Sequence, residues 1–215
     1  MRSSGERNAN PPKPNLKALL EVGEALGRLR APFYFAGGWA IDLHLGRVTR
    51  EHHDIDVLVM RRDHLLLHKT LKGFLLKKII PHPDGMPPNR GTIIEWCEGE
   101  RLALPMHQVN AYRAGESEPA FEVMLAESSD GEWIFRRNPK IRMPISAMGF
   151  QSLWGLPYLA PEIVLLFKAK QLETRDQIDF DNALPALSMD ARQWLRDALA
   201  ASHPGHEWLK ALTNG

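Results

Sequence analysis

The chain of 215 residues lacks most of the features that announce a compartment or a scaffold. It has one cysteine, Cys97, so no disulfide can form within the chain, which suits a reducing compartment. No apolar run approaches the roughly 20 residues that a membrane-spanning helix needs. The N-terminal stretch MRSSGERNANPPKPN is polar and has no apolar signal core, so a cytoplasmic protein with a flexible arm over residues 1–14 is expected. An excess of one charge is missing too. Lys and Arg number 27 against 26 Asp and Glu, a formal net charge of +1, so no overall pull toward nucleic acid or an anionic membrane is implied. The densest local basic cluster is Arg136, Arg137, Lys140 and Arg142. There is no internal repeat and no G-x-x-x-x-G-K-[ST] phosphate loop, which argues against a P-loop NTPase. The nine histidines are scattered without a partnering cysteine pair, which argues against structural zinc.

What is present is an ordinary globular composition, 44% hydrophobic and 25% charged, enough for one large domain or a domain with a small companion. LKALLEVGEALGRL has leucines at helical spacing, and Pro32 ends that helix before a short buried strand, FYFA. Gly37-Gly38 breaks the chain, WAIDLHL forms a short helix closed by Gly46, and DIDVLVM (54–60) forms a second strand. Asp63 is positioned to cap a helix over HLLLHKTLKGF. PHPDGMPPNRG (81–91) is a turn-rich loop. Beyond it TIIEWCEG, RLALPMHQVNAY, AFEVMLAE and EWIFRR alternate as a meander of antiparallel strands, with Asp130-Gly131 as a hairpin turn. From Pro161 the pattern is helical, with Asp176 and Asp190 expected as caps. The expected architecture is α/β (α+β), a mixed sheet extended by antiparallel strands over residues 15–158, followed by a small helical region over 159–215.

One stretch carries chemistry. In Gly37 to Val59, two carboxylates, Asp54 and Asp56, sit one residue apart on the expected strand. Strand side chains alternate, so both point one way and repel unless a cation lies between them. A hard cation such as Mg²⁺ suits that arrangement, because it takes one or two carboxylates together with phosphate oxygens and water. Upstream, a strand that turns through Gly37-Gly38 into a helix start exposes backbone N–H groups to phosphate. Either element alone is commonplace; the two in order, fifteen residues apart, describe a phosphate cradle beside a metal site.

The residues GGWAID…LGRVTR…H-x-DID resemble the nucleotidyltransferase (polymerase-β-like) superfamily, and within it the aminoglycoside 2″-adenylyltransferase and lincosamide nucleotidyltransferase branch. The match is dense over Gly37 to Val57 and thin elsewhere. The resemblance implies a nucleotidyltransferase fold. It implies transfer of a nucleoside monophosphate from a nucleoside triphosphate, expected to be ATP, to a hydroxyl, with one or two Mg²⁺ and release of pyrophosphate. On this chain it makes Asp54 and Asp56 metal ligands and Gly37 and Gly38 phosphate-binding residues. Arg50 and Asp42 fall on family positions, with Arg50 assigned to nucleotide binding.

The family usually adds an Asp on a later strand. Here the matching position is Glu122, one methylene longer, expected as third metal ligand or as base; Glu127 and Glu95 are weaker candidates. Lys168 lies on the apolar stripe of a helix and, by resemblance, contacts the triphosphate, whereas Lys170 reads as a surface partner of Glu173. Arg136-Arg137 reads as a solvated strand edge or as a contact for a triphosphate or an acidic acceptor. Trp96 and Trp133 are core by default and candidates for lining an acceptor pocket. The expected acceptor is a small-molecule hydroxyl, antibiotic-like or metabolic, without membrane or nucleic acid. The alternatives are nucleotidylation of a protein or RNA, as in toxin–antitoxin systems, and a catalytically decayed nucleotide-binding protein.

Overall fold

The computed structural model describes residues 15–82 and 91–213. The elements in order are α1 (Leu16–Leu26), β1 (Phe33–Phe35), α2 (Gly37–Leu45), β2 (Asp56–Met60), α3 (Leu66–Thr70), β3 (Phe74–Ile80), β4 (Thr92–Glu95), β5 (Gln108–Arg113) and β6 (Phe121–Ser129). They continue with β7 (Glu132–Ile134), β8 (Arg142–Pro144), β9 (Gly149–Gln151), β10 (Pro157–Leu159), α4 (Pro161–Lys168), α5 (Thr174–Ala183), α6 (Met189–Ser202) and α7 (Trp208–Thr213). The strands form one mixed sheet in the order β4-β3-β5-β6-β2-β1-β10-β9, with β7 and β8 added beside the far end of β6. The central pairs β2–β6 and β1–β10 are parallel; β1–β2, β5–β6 and the outer pairs are antiparallel. No helix among the described residues is long and apolar enough to cross a membrane.

The centre of the sheet explains its sequence. Val57 to Met60 of β2 are all buried, as a strand flanked on both edges and covered on both faces must be. Leu19, Val22 and Leu26 of α1 pack into the same core, and the Asn15 side chain accepts from the Ala18 N–H at 3.1 Å to start that helix. Asp130 and Gly131, both at positive φ, make the expected hairpin between β6 and β7. The C-terminal helices lie on the sheet's own helix layer: α4 and α5 pack on α2. α5 is pinned to α7 by Phe180 and Trp208, stacked with centroids 4.2 Å apart. The boundary expected at 158/159 falls inside β10, which pairs with β1.

Several local expectations are corrected. The helix expected over residues 64–74 is one turn, α3, and LLKKII belongs to β3, the strand that both β4 and β5 flank. Alternating burial in β3 was masked by Lys77-Lys78 at its middle. Asp63 closes a short 3₁₀ turn over Arg61–Asp63 and caps no α-helix. Glu173 is the N-cap of α5, with Asp176 reaching back as the third-position partner of a capping box, and Ser188 caps α6 in place of Asp190. Asp54 stands just before β2 and is exposed, so the two aspartates flank the strand's entry and do not share a continuous strand face. The expected arm and most of the 81–91 loop lie outside the described residues.

The connection from α2 to β2 is organised by one buried acid. Asp42, 1% exposed, accepts from the Thr49 N–H at 3.0 Å and the Thr49 hydroxyl at 2.5 Å, and pairs with His52 Nε2 at 2.5 Å. The His52 ring in turn stacks on Trp39 at 4.2 Å. Asp42→Ala should therefore destabilise the protein by about 2–4 kcal/mol, because it strands two half-buried donors of Thr49 and the buried His52 ring at once. Urea unfolding monitored by tryptophan fluorescence checks this; a loss below about 0.5 kcal/mol would mean that the loop holds itself.

Candidate active site

The site begins where β1 ends. Gly37 takes φ +58°, and a Cβ there would collide with the Asp56 carboxylate; a Cβ on Gly38 would run into the Arg50 guanidinium and come within 2.8 Å of His52. Only glycine allows the backbone to enter α2 this close to charged side chains. Ala36, the N-cap of this nine-residue helix, offers no side-chain hydrogen bond, so the first-turn amides are not capped by it. Ala36 N–H instead donates to the Asp56 carbonyl at 2.8 Å, which ties the cradle to β2.

On the other side, Asp56 and Glu122 are partners in register on the parallel strands β2 and β6, and Asn110 of β5 is the next partner across. Gln108 Nε2 donates to Glu122 Oε2 at 2.6 Å and to Asn110 Oδ1 at 3.0 Å, fixing the glutamate's orientation. Burial, and then the neighbouring charge of Asp54, push the Asp56 carboxyl up to about 7, against the pull of Lys168 and Arg175. Burial first, then Asp56 and Asp54, push Glu122 up to about 8. The charge of Asp54 thus bears on both Asp56 and Glu122, and that of Asp56 on Glu122 as well.

Among the described residues no three His, Cys, Asp or Glu side chains converge as a finished metal cage. The donor set nevertheless fits a hard cation: oxygen-only ligands, like charges left without an ion-pair partner, and an open side toward the cleft. Such an ion would complete its shell with phosphate oxygens and water.

Arg50 and Lys168 meet at a single acid. Arg50 donates to both oxygens of Asp179, at 2.7 and 2.8 Å, and Lys168 Nζ lies 2.9 Å from Asp179 Oδ2 and 2.6 Å from Asp176 Oδ1. Asp179 is fully buried. Burial alone would raise its carboxyl, but the bonds from Arg50 and Lys168 outweigh that and hold it below its ordinary value. Sequence reasoning did not give Asp179 this role; an acid three residues after Asp176, on the buried face of α5, was the available signal. Gln108 and Asn110 were missed, although two amides at alternate positions of a strand otherwise buried are a mark of polar work there.

A cleft of about 500 Å³ opens from Gly37 and Asp56 along β2 and β6, past Leu58, Met124 and Trp133, to Arg136, Arg137, Lys168 and Lys170. Its size is that of a small-molecule site. Trp133 lines it, whereas Trp96 does not; its indole donates to the Glu100 carbonyl elsewhere. Arg136 and Arg137 lie in a turn beyond β7, at the cleft, and not on a strand edge. Lys170 is no partner of Glu173, which pairs with Arg175 at 2.9 Å; α4 ends at Lys168, so the helical spacing behind that pairing is absent. Glu127 is bound by Arg61 at 2.6 Å, and Glu95 is exposed on edge strand β4.

A mixed sheet with a glycine-gated helix beside paired acids on its central strands is the architecture of a nucleotidyltransferase. Comparison with solved structures agrees. The chain superposes on the lincosamide antibiotic adenylyltransferase LnuA, determined with lincomycin bound, with TM-score 0.54, 18% identity, and coverage of 82% of this chain and 100% of that one. It superposes on the antibiotic-resistance factor ANT(2″)-Ia with TM-score 0.54, 16% identity, and coverage of 86% and 90%. Residues 18–79 match the model of the aminoglycoside-2″-adenylyltransferase family. A 2″-aminoglycoside nucleotidyltransferase of Escherichia coli is 65% identical over 26 residues, and one of Klebsiella pneumoniae likewise; the match takes in 12% of this chain and only 15% of each relative's length. In fold the chain is like these antibiotic nucleotidyltransferases, and over residues 18–79 its sequence matches the aminoglycoside-2″-adenylyltransferase family model.

Two outcomes follow from this geometry. Asp56→Asn should leave the protein at least as stable in metal-free buffer, because it removes one of two adjacent like charges; a melting temperature several degrees lower would show that the carboxylate is structural. Asp179→Ala should cost about 3–5 kcal/mol by leaving Arg50 and Lys168 without their shared acid, measured by urea unfolding.

Proposed function

We propose that this protein is a Mg²⁺-dependent nucleotidyltransferase that moves a nucleoside monophosphate from a nucleoside triphosphate, with ATP the expected donor, to the hydroxyl of a small molecule. The observation that carries the reading is the register pairing of Asp56 with Glu122 directly against the Gly37 backbone. Asp54 and Asp56 would hold the metal with Glu122 beside them, and the ion when bound would neutralise charge on the triphosphate. Backbone amides at Gly37 and Gly38 would bind the triphosphate from the helix end. Lys168, at the cleft wall, would contact it as well, while Arg50 would act on the nucleotide from its anchored place beside Gly38.

In the reaction the acceptor oxygen forms a bond to the α-phosphorus, and the bond from that phosphorus to the bridging oxygen breaks. The bonding pair leaves with pyrophosphate. Glu122, oriented by Gln108, takes the hydroxyl proton. Catalysis rests mainly on holding the reactants in line in a site that neutralises their charge. The family match over residues 18–79 supports the activity, and the cleft volume supports a small acceptor of antibiotic or metabolite size.

Titration calorimetry with Mg²⁺ and ATP, GTP, CTP and UTP analogues blocked at the α–β bridge tests the reading. Wild type should bind one nucleotide only with metal, and the Asp54→Asn/Asp56→Asn double variant should lose it. Absence of binding to folded wild type would sink the proposal. Glu122→Gln should keep nucleotide binding and lose about 100-fold or more of turnover.

A further inference from the structure

The far wall of the cleft carries charge that the proposed donor site does not use. Three acids line the cleft, and each is committed: Asp56 to the metal end, Asp176 to Lys168 at 2.6 Å, and Glu127 to Arg61 at 2.6 Å. The cations are not balanced in the same way. Among the described residues, Arg136 and Lys170 have no hydrogen bond or ion pair, and Arg137 donates only to the Phe167 carbonyl, at 2.8 Å. The remaining faces of the Arg137 guanidinium lie over the rings of Phe167 and Phe135, 5.4 and 5.9 Å from their centroids.

Two adjacent arginines and a lysine without acids would be unremarkable on a convex surface. Here they face a concavity with an apolar floor, Leu58 and Met124, where water screens charge poorly and the field is focused. The geometry is also placed for an acceptor rather than a donor. Glu127, which adjoins the arginines, is five residues along β6 from Glu122, or about 16 Å at the usual strand rise.

We infer that the acceptor is a hydroxyl compound with an apolar body and an anionic group, a phosphate or a carboxylate, and that Arg136 and Arg137 bind that group. This rests on the nucleotidyltransferase reading of the same cleft. A polycationic acceptor is disfavoured by the same wall, since it would meet like charges with no acid free to receive it. Burial, and next the charge of Arg136, bring the Arg137 guanidinium down to about 10, which is the condition an incoming anion relieves.

The experiment uses three matched probes, benzyl phosphate, benzyl alcohol and benzylamine, titrated into the full chain saturated with Mg²⁺ and a non-hydrolysable ATP analogue. With the triphosphate site filled, a bound phosphate must lie elsewhere. Benzyl phosphate should bind at least about tenfold tighter than benzyl alcohol, and benzylamine no better than the alcohol. Arg136→Gln, which breaks no hydrogen bond or ion pair among the described residues, should remove most of that preference, and Arg137→Lys should keep part of it. Nucleotide affinity should be unchanged in both. Equal binding of the three probes, tighter binding of benzylamine, or a preference that survives Arg136→Gln with Arg137→Gln would overturn the inference. So would a single-stranded RNA that outcompetes benzyl phosphate, which would make the acceptor a nucleic acid end. Failure of the ATP analogue to bind is a different result: it removes the nucleotidyltransferase reading, and the probe preference, measured without nucleotide, still decides whether the wall binds anions.

Discussion

Two glycine α-carbons pressed against two charged side chains set the terms for this molecule. Gly37 lies on the Asp56 carboxylate and Gly38 on the Arg50 guanidinium, with no room for a methyl group at either place. Because Arg50 is held there by both oxygens of Asp179, the helix start is tied through one buried acid to α5, and through Lys168 to the end of α4. The C-terminal helices are thus part of the site's frame and carry two of its charges. A strand, a glycine turn and a distant helix become one unit by way of ion pairs whose desolvation is offset by nearly complete hydrogen bonding.

The legible part of this arrangement was the part written locally. Gly37-Gly38, Gly46 and Asp130-Gly131 each need a left-handed or close-packed backbone that the sequence spells in two letters, and Asp54 and Asp56 are adjacent enough to read as a pair. Glu122 was reachable only through the family resemblance, and on the sheet it is the register partner of Asp56. What stayed hidden depends on long-range pairing. Lys77-Lys78 concealed β3, since the lysines follow no alternation until the aliphatic stem of Lys78 is laid against the sheet. The role of Asp179 depends on a partner 129 residues away in the chain, and no spacing rule encodes that. Lys170 was misread because helical spacing was carried past the point where α4 stops.

Like charges are gathered at both ends of the cleft, with opposite sign. At one end the charge of Asp54 raises the proton affinity of Asp56, and both raise that of Glu122, a state that a divalent cation relieves. At the other, Arg136 and Arg137 are adjacent, Arg137 lies over the rings of Phe135 and Phe167, and the acid whose charge reaches Arg136, Glu127, is itself paired with Arg61. Folding alone would favour neither cluster, since each places repelling groups in partial burial. Sites that cost stability without a structural return are where binding is expected, because a ligand supplies the missing counter-charge.

The likeness to LnuA and ANT(2″)-Ia is one of fold and assigns a role to neither cluster. At 16–18% identity the likeness shows the fold alone, and residues on turns and helix ends vary most freely on a shared fold. Two enzymes can therefore share the donor half of a reaction and differ wholly in what they modify. In this chain the family match ends at residue 79, whereas Glu122, Arg136, Arg137 and Lys168 all lie beyond it. The charge of the wall formed by Arg136, Arg137 and Lys170, three cations with the acids that line the cleft already engaged, is a property of this sequence and not of the fold. It follows that the acceptor should be sought by charge before it is sought by analogy.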